Sequence, residues 1–140
     1  MNFDSFDDSL PAYWEGTVHH EFGHALGFEH EHQSPVTRCD FRFYDDKGYV
    51  KTKDSFGWYT KDKTDRYPGL YTYLGGKANY WSKSKVDFNL RKIPTTSAFL
   101  IGPFDKLSIM KYYYDAFMFK LGDKSPCFYR YRVKIYRFKT

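Results

Sequence analysis

The eleven residues from 20 to 30 constrain this chain more than any other stretch, and they read H-E-F-G-H-A-L-G-F-E-H. On a helix, His20 and His24 lie on the same face one turn apart, so both imidazoles can approach one point. Gly27 has no Cβ and can adopt a left-handed conformation that ends the helix with a sharp turn. That turn would return His30 to the first two histidines.

Three histidine nitrogens at one point predict a metal site, and zinc suits these ligands. Three protein ligands leave a fourth position for water, which is typical of catalytic rather than structural zinc sites. Glu21 follows the first histidine, where its carboxylate can reach such a water without binding the metal. The alternative is a polar, histidine-rich helix end that binds metal adventitiously. We expect His19 to be a surface or packing residue and His32 to be a solvated loop residue.

The spacing H-E-x-x-H-x-x-G-x-x-H resembles that of the metzincin zinc endopeptidases. The residue after the third histidine is Glu31, and E-H-Q-S-P at 31–35 is similar to the astacin-like peptidases of fungi and bacteria (family M12A). A second metzincin motif, the methionine turn, resembles S-I-M-K-Y at 108–112. On these two motifs the chain is identified as a member of the astacin family.

The resemblance implies a role for each matching residue. It assigns the binding of one zinc ion per chain to three histidines, His20, His24 and His30. Glu21 would be the general base, and Met110 would form an apolar floor beneath the metal. Tyr112 would ligate zinc through its phenol and move to stabilise the transition state when substrate binds. Taken alone, each would more often be a core residue: Met110 a methionine that fills a gap, and Tyr112 one aromatic among fourteen tyrosines.

The family also implies a fold. We expect an α+β, metzincin-type zinc protease fold in which residues 1–140 form one partial catalytic domain. It would contain the active-site helix and an irregular lower lobe with the methionine turn, and most of the upper-lobe sheet would be missing. With 140 residues and 22% aromatic residues, the chain can form one sizeable core.

The hydrophobic pattern predicts two helices. The first would begin near Ser9 and Pro11, and its apolar face would contain four residues, Val18, Phe22, Ala25 and Leu26. The second would begin near Ser82 or Ser84 and stop at Pro94, with an apolar face formed by Val86, Leu90 and Ile93. Between them, residues 35–80 predict mostly loops with short strands.

The first residues, M-N-F-D-S-F, contain neither a basic start nor an apolar run, so no secretory signal is predicted. The resemblance places a twisted sheet, its substrate-binding edge strand and any pro-segment upstream of the active-site helix. M-N-F-D would match the last strand of that sheet. We therefore expect an N-terminally truncated family member, either from a late gene start or as a shortened relative. The full-length protein would be extracellular.

Two cysteines, Cys39 and Cys127, are compatible with one disulfide, which would imply an oxidising compartment, or with two buried thiols. The net charge of +5 comes largely from a basic C-terminal segment that contains Arg130, Arg132, Lys134, Arg137 and Lys139. Its alternating pattern favours a strand with one solvated face. The alternative is a surface that binds nucleic acid, anionic glycans or membrane. No apolar run is long enough to span a membrane.

The predicted function is hydrolysis of peptide bonds in proteins by a zinc-dependent metalloendopeptidase. The partner would be a polypeptide substrate, and we expect a monomer that binds no nucleic acid. The alternative is an inactive, truncated zinc-binding remnant that acts as a binding module. In astacins the glutamate at the position of Glu31 pairs with the mature amino terminus. The segment that would supply this partner is absent, so we expect Glu31 to be solvated or paired otherwise.

Overall fold

A computed structural model describes residues 10–12, 14–77 and 79–130 of the chain. Three sequence predictions fall outside these ranges. They are the strand in M-N-F-D, the helix start at Ser9 and most of the strand in the basic C-terminal segment. The described residues combine short helices with a two-stranded sheet. This agrees with the predicted α+β class in its coarse form.

The first helix, α1, spans Trp14–Ala25 and ends in a Schellman motif. The Phe28 N–H donates to the Gly23 carbonyl at 3.0 Å, and the Gly27 N–H donates to the His24 carbonyl at 3.0 Å. Gly27 has a φ of 87°, which is the left-handed conformation predicted for it. The chain therefore reverses direction at the predicted residue.

The side of α1 that is buried is polar, not apolar. Its buried residues are His20 and Glu21. Of the predicted apolar face, Phe22 and Leu26 are 58% and 77% exposed. Among the described residues, the methionine turn and the His30 turn cover the histidine side of α1, and most of the predicted apolar face is left exposed.

The remaining elements are short. Strands β1 (Thr52–Lys53) and β2 (Tyr59–Thr60) pair antiparallel, with Thr52 opposite Thr60. Two further helices follow, α2 (Leu70–Gly75) and α3 (Lys83–Leu90). Single 3₁₀ turns occupy Glu31–Gln33, Ala116–Met118 and Gly122–Lys124. No helix in the described ranges combines the length and apolar character needed to cross a membrane.

Helix α2 was not predicted from the sequence, because its residues lack a long periodic pattern. It begins where two backbone N–H groups find partners outside the helix. The Leu70 N–H donates to the Arg42 carbonyl at 2.7 Å, and the Tyr71 N–H donates to the Phe43 carbonyl at 3.2 Å. A Cβ at Gly69 would overlap the backbone of Tyr44, so only glycine permits this close approach.

Helix α3 begins where the sequence predicts, since the Ser82 side chain accepts a hydrogen bond from the Lys85 N–H at 3.2 Å. Its Val86 and Leu90 are buried, as expected. The predicted extension to Pro94 is wrong, because the helix ends at Leu90 and the backbone is extended at the next residue. Ile93 instead donates its N–H to the Gln33 carbonyl at 2.8 Å, so a tertiary hydrogen bond replaces another helical turn.

The hydrophobic core joins the middle of the chain to residues 119–127. Its buried apolar residues are Phe41, Leu70, Val86, Leu90, Phe119 and Cys127. The rings of Phe41 and Phe119 stack at 5.1 Å, and these residues also form an isolated antiparallel bridge. Cys39 and Cys127 form a disulfide at one edge of this core. Of the two alternatives left by the sequence, the structure therefore has the disulfide.

We predict that removal of the disulfide by the double substitution Cys39→Ser and Cys127→Ser lowers the free energy of unfolding by about 4 kcal/mol. The bond joins residues 88 positions apart, and loss of the crosslink increases the chain entropy of the unfolded state. Urea unfolding with and without reductant measures this difference. Reductant should destabilise the parent chain but not the double variant, and equal midpoints in all four samples would contradict the prediction.

Candidate metal centre

Three histidine side chains converge beside the end of α1. The Nε2 atom of His24 lies 3.1 Å from Nε2 of His20 and 3.2 Å from Nε2 of His30. Among the described residues, these three histidines are a group whose side-chain ligand atoms lie close enough together to hold one metal ion. Their helix and turn positions are those predicted from the sequence.

A hydrogen bond at Nδ1 orients each of these rings. The Nδ1 atom of His20 lies 2.8 Å from the Ile109 carbonyl oxygen, and that of His24 lies 2.9 Å from the Phe28 carbonyl oxygen. His30 places Nδ1 3.3 Å from Oε1 of Gln33. Because a carbonyl oxygen only accepts, each Nδ1 carries the proton and each Nε2 keeps its lone pair. All three lone pairs are therefore available to one cation.

The spacing of these nitrogens fits zinc. With Zn–N bonds of about 2.0 Å, two corners of a coordination tetrahedron lie about 3.3 Å apart. The observed separations of 3.1 and 3.2 Å are close to this value. Burial, followed by the neighbouring His24, lowers the pKa of His30 to about 4. At neutral pH the third imidazole is consequently uncharged and does not repel a cation.

The methionine turn packs directly against the histidines. Its Ile109 carbonyl orients His20, and its Met110 carbonyl accepts the N–H of Glu31 at 3.0 Å. The Met110 side chain is 6% exposed and fills the space beside Gly23 on α1. A Cβ on Gly23 would overlap the methionine sulfur. The turn therefore contacts both the helix and the segment that carry the three histidines.

A carboxylate and a phenol accompany the histidines. Glu21 lies on α1 and is 9% exposed. The Tyr112 ring lies 4.5 Å from the His30 ring and stacks on the His20 ring at 5.3 Å. Burial, and then the charge of nearby Glu21, raises the pKa of the Tyr112 phenol. Tyr112 is therefore a neutral hydrogen-bond donor, and at 45% exposure it is accessible to a bound molecule.

The prediction for His32 is wrong. Its side chain is fully buried, with Nε2 2.9 Å from both the Asn89 carbonyl oxygen and the Tyr114 hydroxyl. The ring also stacks on His30 at a centroid distance of 5.2 Å. The sequence suggested a solvated loop because no periodic pattern surrounds this residue. Contacts with α3 and with residues beyond the methionine turn bury it instead.

The other two expectations near the site hold. His19 is exposed on α1. Among the described residues, Oε1 of Glu31 accepts the Asp105 N–H at 3.0 Å, so this half-buried carboxylate is paired with a backbone donor.

Sequence reasoning missed two residues that shape the site, Gly23 and Gln33. Glycine in the interior of a helix lowers its stability, and Gly23 directly precedes His24, so this position carried a usable signal. Gln33 carried none. Its importance comes from hydrogen bonds to α3, some 55 residues further along the chain.

Two cavities flank the histidines. One, of about 520 Å³, is lined by His30 together with Phe28, Ile93 and Phe99. The other, of about 340 Å³, is lined by Tyr112 and by apolar side chains that include Leu74, Trp81 and Met118. Each cavity can accept a side chain of a bound molecule.

The described residues thus define an α+β protein with a three-histidine candidate metal site, flanked by a carboxylate and a phenol. The chain is similar to myroilysin, a protein of solved structure, with 36% sequence identity and a TM-score of 0.63. The match covers 87% of this chain and 48% of myroilysin, so the chain spans about half the length of that protein. No family model and no curated protein match the chain.

We predict opposite effects for alanine at two glycines of α1. Gly23→Ala should destabilise the protein, because the new methyl group displaces the Met110 sulfur. Gly16→Ala is the matched control, since nothing lies within 4 Å of its added Cβ. It should stabilise the same helix by about 0.5–1 kcal/mol. Thermal unfolding of both variants measures the two changes, and equal stabilisation by both would contradict a close Met110 contact.

We also predict that the metal-free protein loses stability between pH 6.5 and pH 4. Burial lowers the pKa of His32 from 6.5 to about 4, so the unfolded chain binds a proton in this range and the folded chain does not. Well above pH 6.5, His32 is neutral in both states and the free energy of unfolding is unaffected. At pH 5, the free energy of unfolding should be lower by about 2 kcal/mol. Urea unfolding at pH 7 and pH 5 should show a smaller pH effect in His32→Phe. An unchanged effect would mean that His32 titrates normally.

Proposed function

We propose that the chain is a zinc metalloendopeptidase of the metzincin type, within the astacin family. The observation that carries this proposal is the convergence of three histidine Nε2 atoms beside Glu21 and Tyr112. The similarity to myroilysin supports a peptidase function in general. The methionine turn against α1 supports the metzincin type in particular.

The proposed ligand set is His20, His24 and His30, and the proposed reaction is hydrolysis of a peptide bond. When bound there, zinc makes a water molecule more acidic and polarises a carbonyl group. Glu21 accepts a proton from the attacking water and delivers it to the leaving amine nitrogen. The Tyr112 phenol donates a hydrogen bond to the carbonyl oxygen as negative charge develops there. Tyr112 would be a further residue able to hold the metal.

The proposed substrate is a polypeptide in an extended conformation. The cavity lined by His30 and the cavity lined by Tyr112 each have room for a side chain of such a polypeptide. The second cavity is largely apolar, so a large apolar side chain would bury most of its surface there.

An extracellular location is part of the proposal. The disulfide between Cys39 and Cys127 persists in oxidising compartments and is rare in the cytosol.

The test compares Glu21→Gln with Glu15→Gln, a matched change at an exposed position of the same helix. Both variants should bind one zinc ion per chain. Glu21→Gln should lose a factor of about 10² to 10⁴ in kcat/KM on a quenched fluorogenic peptide, because it lacks the proton acceptor. Glu15→Gln should cleave the peptide as fast as the parent. A chelator should abolish cleavage by the parent and by Glu15→Gln.

Three results would revise the proposal. Full activity of Glu21→Gln would exclude its role as general base. One bound zinc without cleavage by the parent chain would support the alternative, a zinc-binding module without catalysis. Absence of zinc binding by the parent would contradict the metal site itself.

A further inference from the structure

The carboxyl end of α3 leaves backbone carbonyls that no helical N–H can reach. Three of these acceptors, the carbonyl oxygens of Phe88, Asn89 and Arg91, face the segment that follows His30. Side chains of the 3₁₀ turn Glu31–Gln33 satisfy all three. The end of α3 is therefore joined to the third histidine of the candidate metal centre.

Gln33 makes most of this connection. Its side-chain NH₂ group donates to the Phe88 carbonyl at 2.8 Å and to the Arg91 carbonyl at 3.1 Å. Because both partners only accept, the amide nitrogen must face α3 and Oε1 must face away from it. Oε1 lies 3.3 Å from Nδ1 of His30. The Gln33 carbonyl also accepts the Ile93 N–H at 2.8 Å, which holds the turn itself.

His32 adds a second connection to the same helix end. Since the Asn89 carbonyl only accepts, Nε2 of His32 carries the proton and donates it at 2.9 Å. The His32 ring then packs face to face on His30, with an angle of 28° between the rings. One residue thus supports the His30 ring from its face, and Gln33 holds it at its edge.

The three ligands differ in what orients them. The partners of His20 and His24 are backbone carbonyls, which no substitution removes. The partner of His30 is a side chain, and His30 lies on an irregular turn rather than on a helix. A side-chain amide therefore orients His30, whereas backbone carbonyls orient His20 and His24. A substitution at Gln33 can remove the partner of His30 alone.

We propose that Gln33 is a positioning residue for the metal site: its amide transfers the fixed position of the α3 carboxyl end to the His30 imidazole. It holds the proton on Nδ1 and so keeps the lone pair of Nε2 directed at the metal. This inference rests on the proposed zinc site. It adds Gln33, which lies outside the histidine motif at residues 20–30. Gln33 touches neither the metal nor the substrate.

The experiment compares three variants of the whole chain. Gln33→Met removes the acceptor for His30 and both donors to α3. Gln33→Glu keeps an acceptor for His30 but loses the donors. Lys92→Met is the matched control, because Lys92 is exposed just after α3 and, among the described residues, its side chain donates to the Pro35 carbonyl. Competition with a chromophoric chelator measures zinc affinity, and urea unfolding of the metal-free proteins measures stability separately.

Gln33→Met should bind zinc about 10- to 100-fold more weakly than the parent, as expected for the loss of a group that orients a ligand. Gln33→Glu should recover part of this affinity, because its carboxylate still accepts from Nδ1 but is no longer held by the α3 carbonyls. Its metal-free form should be less stable than the parent. Lys92→Met should bind like the parent. If Gln33→Met does not fold, Gln33→Asn withdraws the same amide by one methylene and should weaken zinc binding in its place.

Parental affinity in a folded Gln33→Met or Gln33→Asn variant would overturn the inference and leave the proposed function intact. Gln33→Glu as weak as Gln33→Met would also overturn it, because the role of Gln33 would then be to stabilise the turn. Failure of the parent chain to bind zinc would overturn the proposed metal site first, and the two failures are therefore distinguishable.

Discussion

The three hydrogen bonds at histidine Nδ1 are the constraint on which the site depends. Each one sets the tautomer of its ring, and together they direct three Nε2 lone pairs to one point. Their acceptors come from three different places, the methionine turn, the turn after α1 and the side chain of Gln33. A metal site of this kind therefore requires the helix, the reversal at Gly27 and a segment some 90 residues downstream to be correctly placed before any ion binds.

The body of the protein supplies that placement. Met110 packs into the space that Gly23 leaves on α1, and its carbonyl holds the start of the turn after His30. The core around Phe41 and Phe119 and the disulfide hold the later part of the chain against the middle. These contacts are far apart in sequence, so the site inherits its geometry from long-range packing rather than from the histidine motif alone.

Sequence predictions agree with the structure where a feature depends on residues nearby in the chain, and they fail where it depends on distant residues. The left-handed Gly27 and the Ser82 cap depend on neighbours within a few residues, and both were predictable. The burial of Val86 was predictable as well, because the helical spacing of apolar residues marks the face that packs inward even when its partners are distant in sequence. The beginning of α2 and the early end of α3 depend on backbone partners elsewhere in the fold. Helix α2 was therefore missed, and the predicted end of α3 was wrong. His32 belongs with these failures, because nothing near it in sequence indicates that α3 buries it.

The amino-acid sequence by itself determined the residues of the candidate site: three histidines at metal-binding spacing, a glutamate beside the first, and the S-I-M-K-Y segment downstream. Local helical geometry is enough to bring His20 and His24 together, because a four-residue separation is one helical turn. Only the tertiary structure decided how His30 is oriented and which residues do it. That orientation requires hydrogen-bond partners brought together by folding, and a linear pattern contains no information about which carbonyls a helix end leaves unpaired.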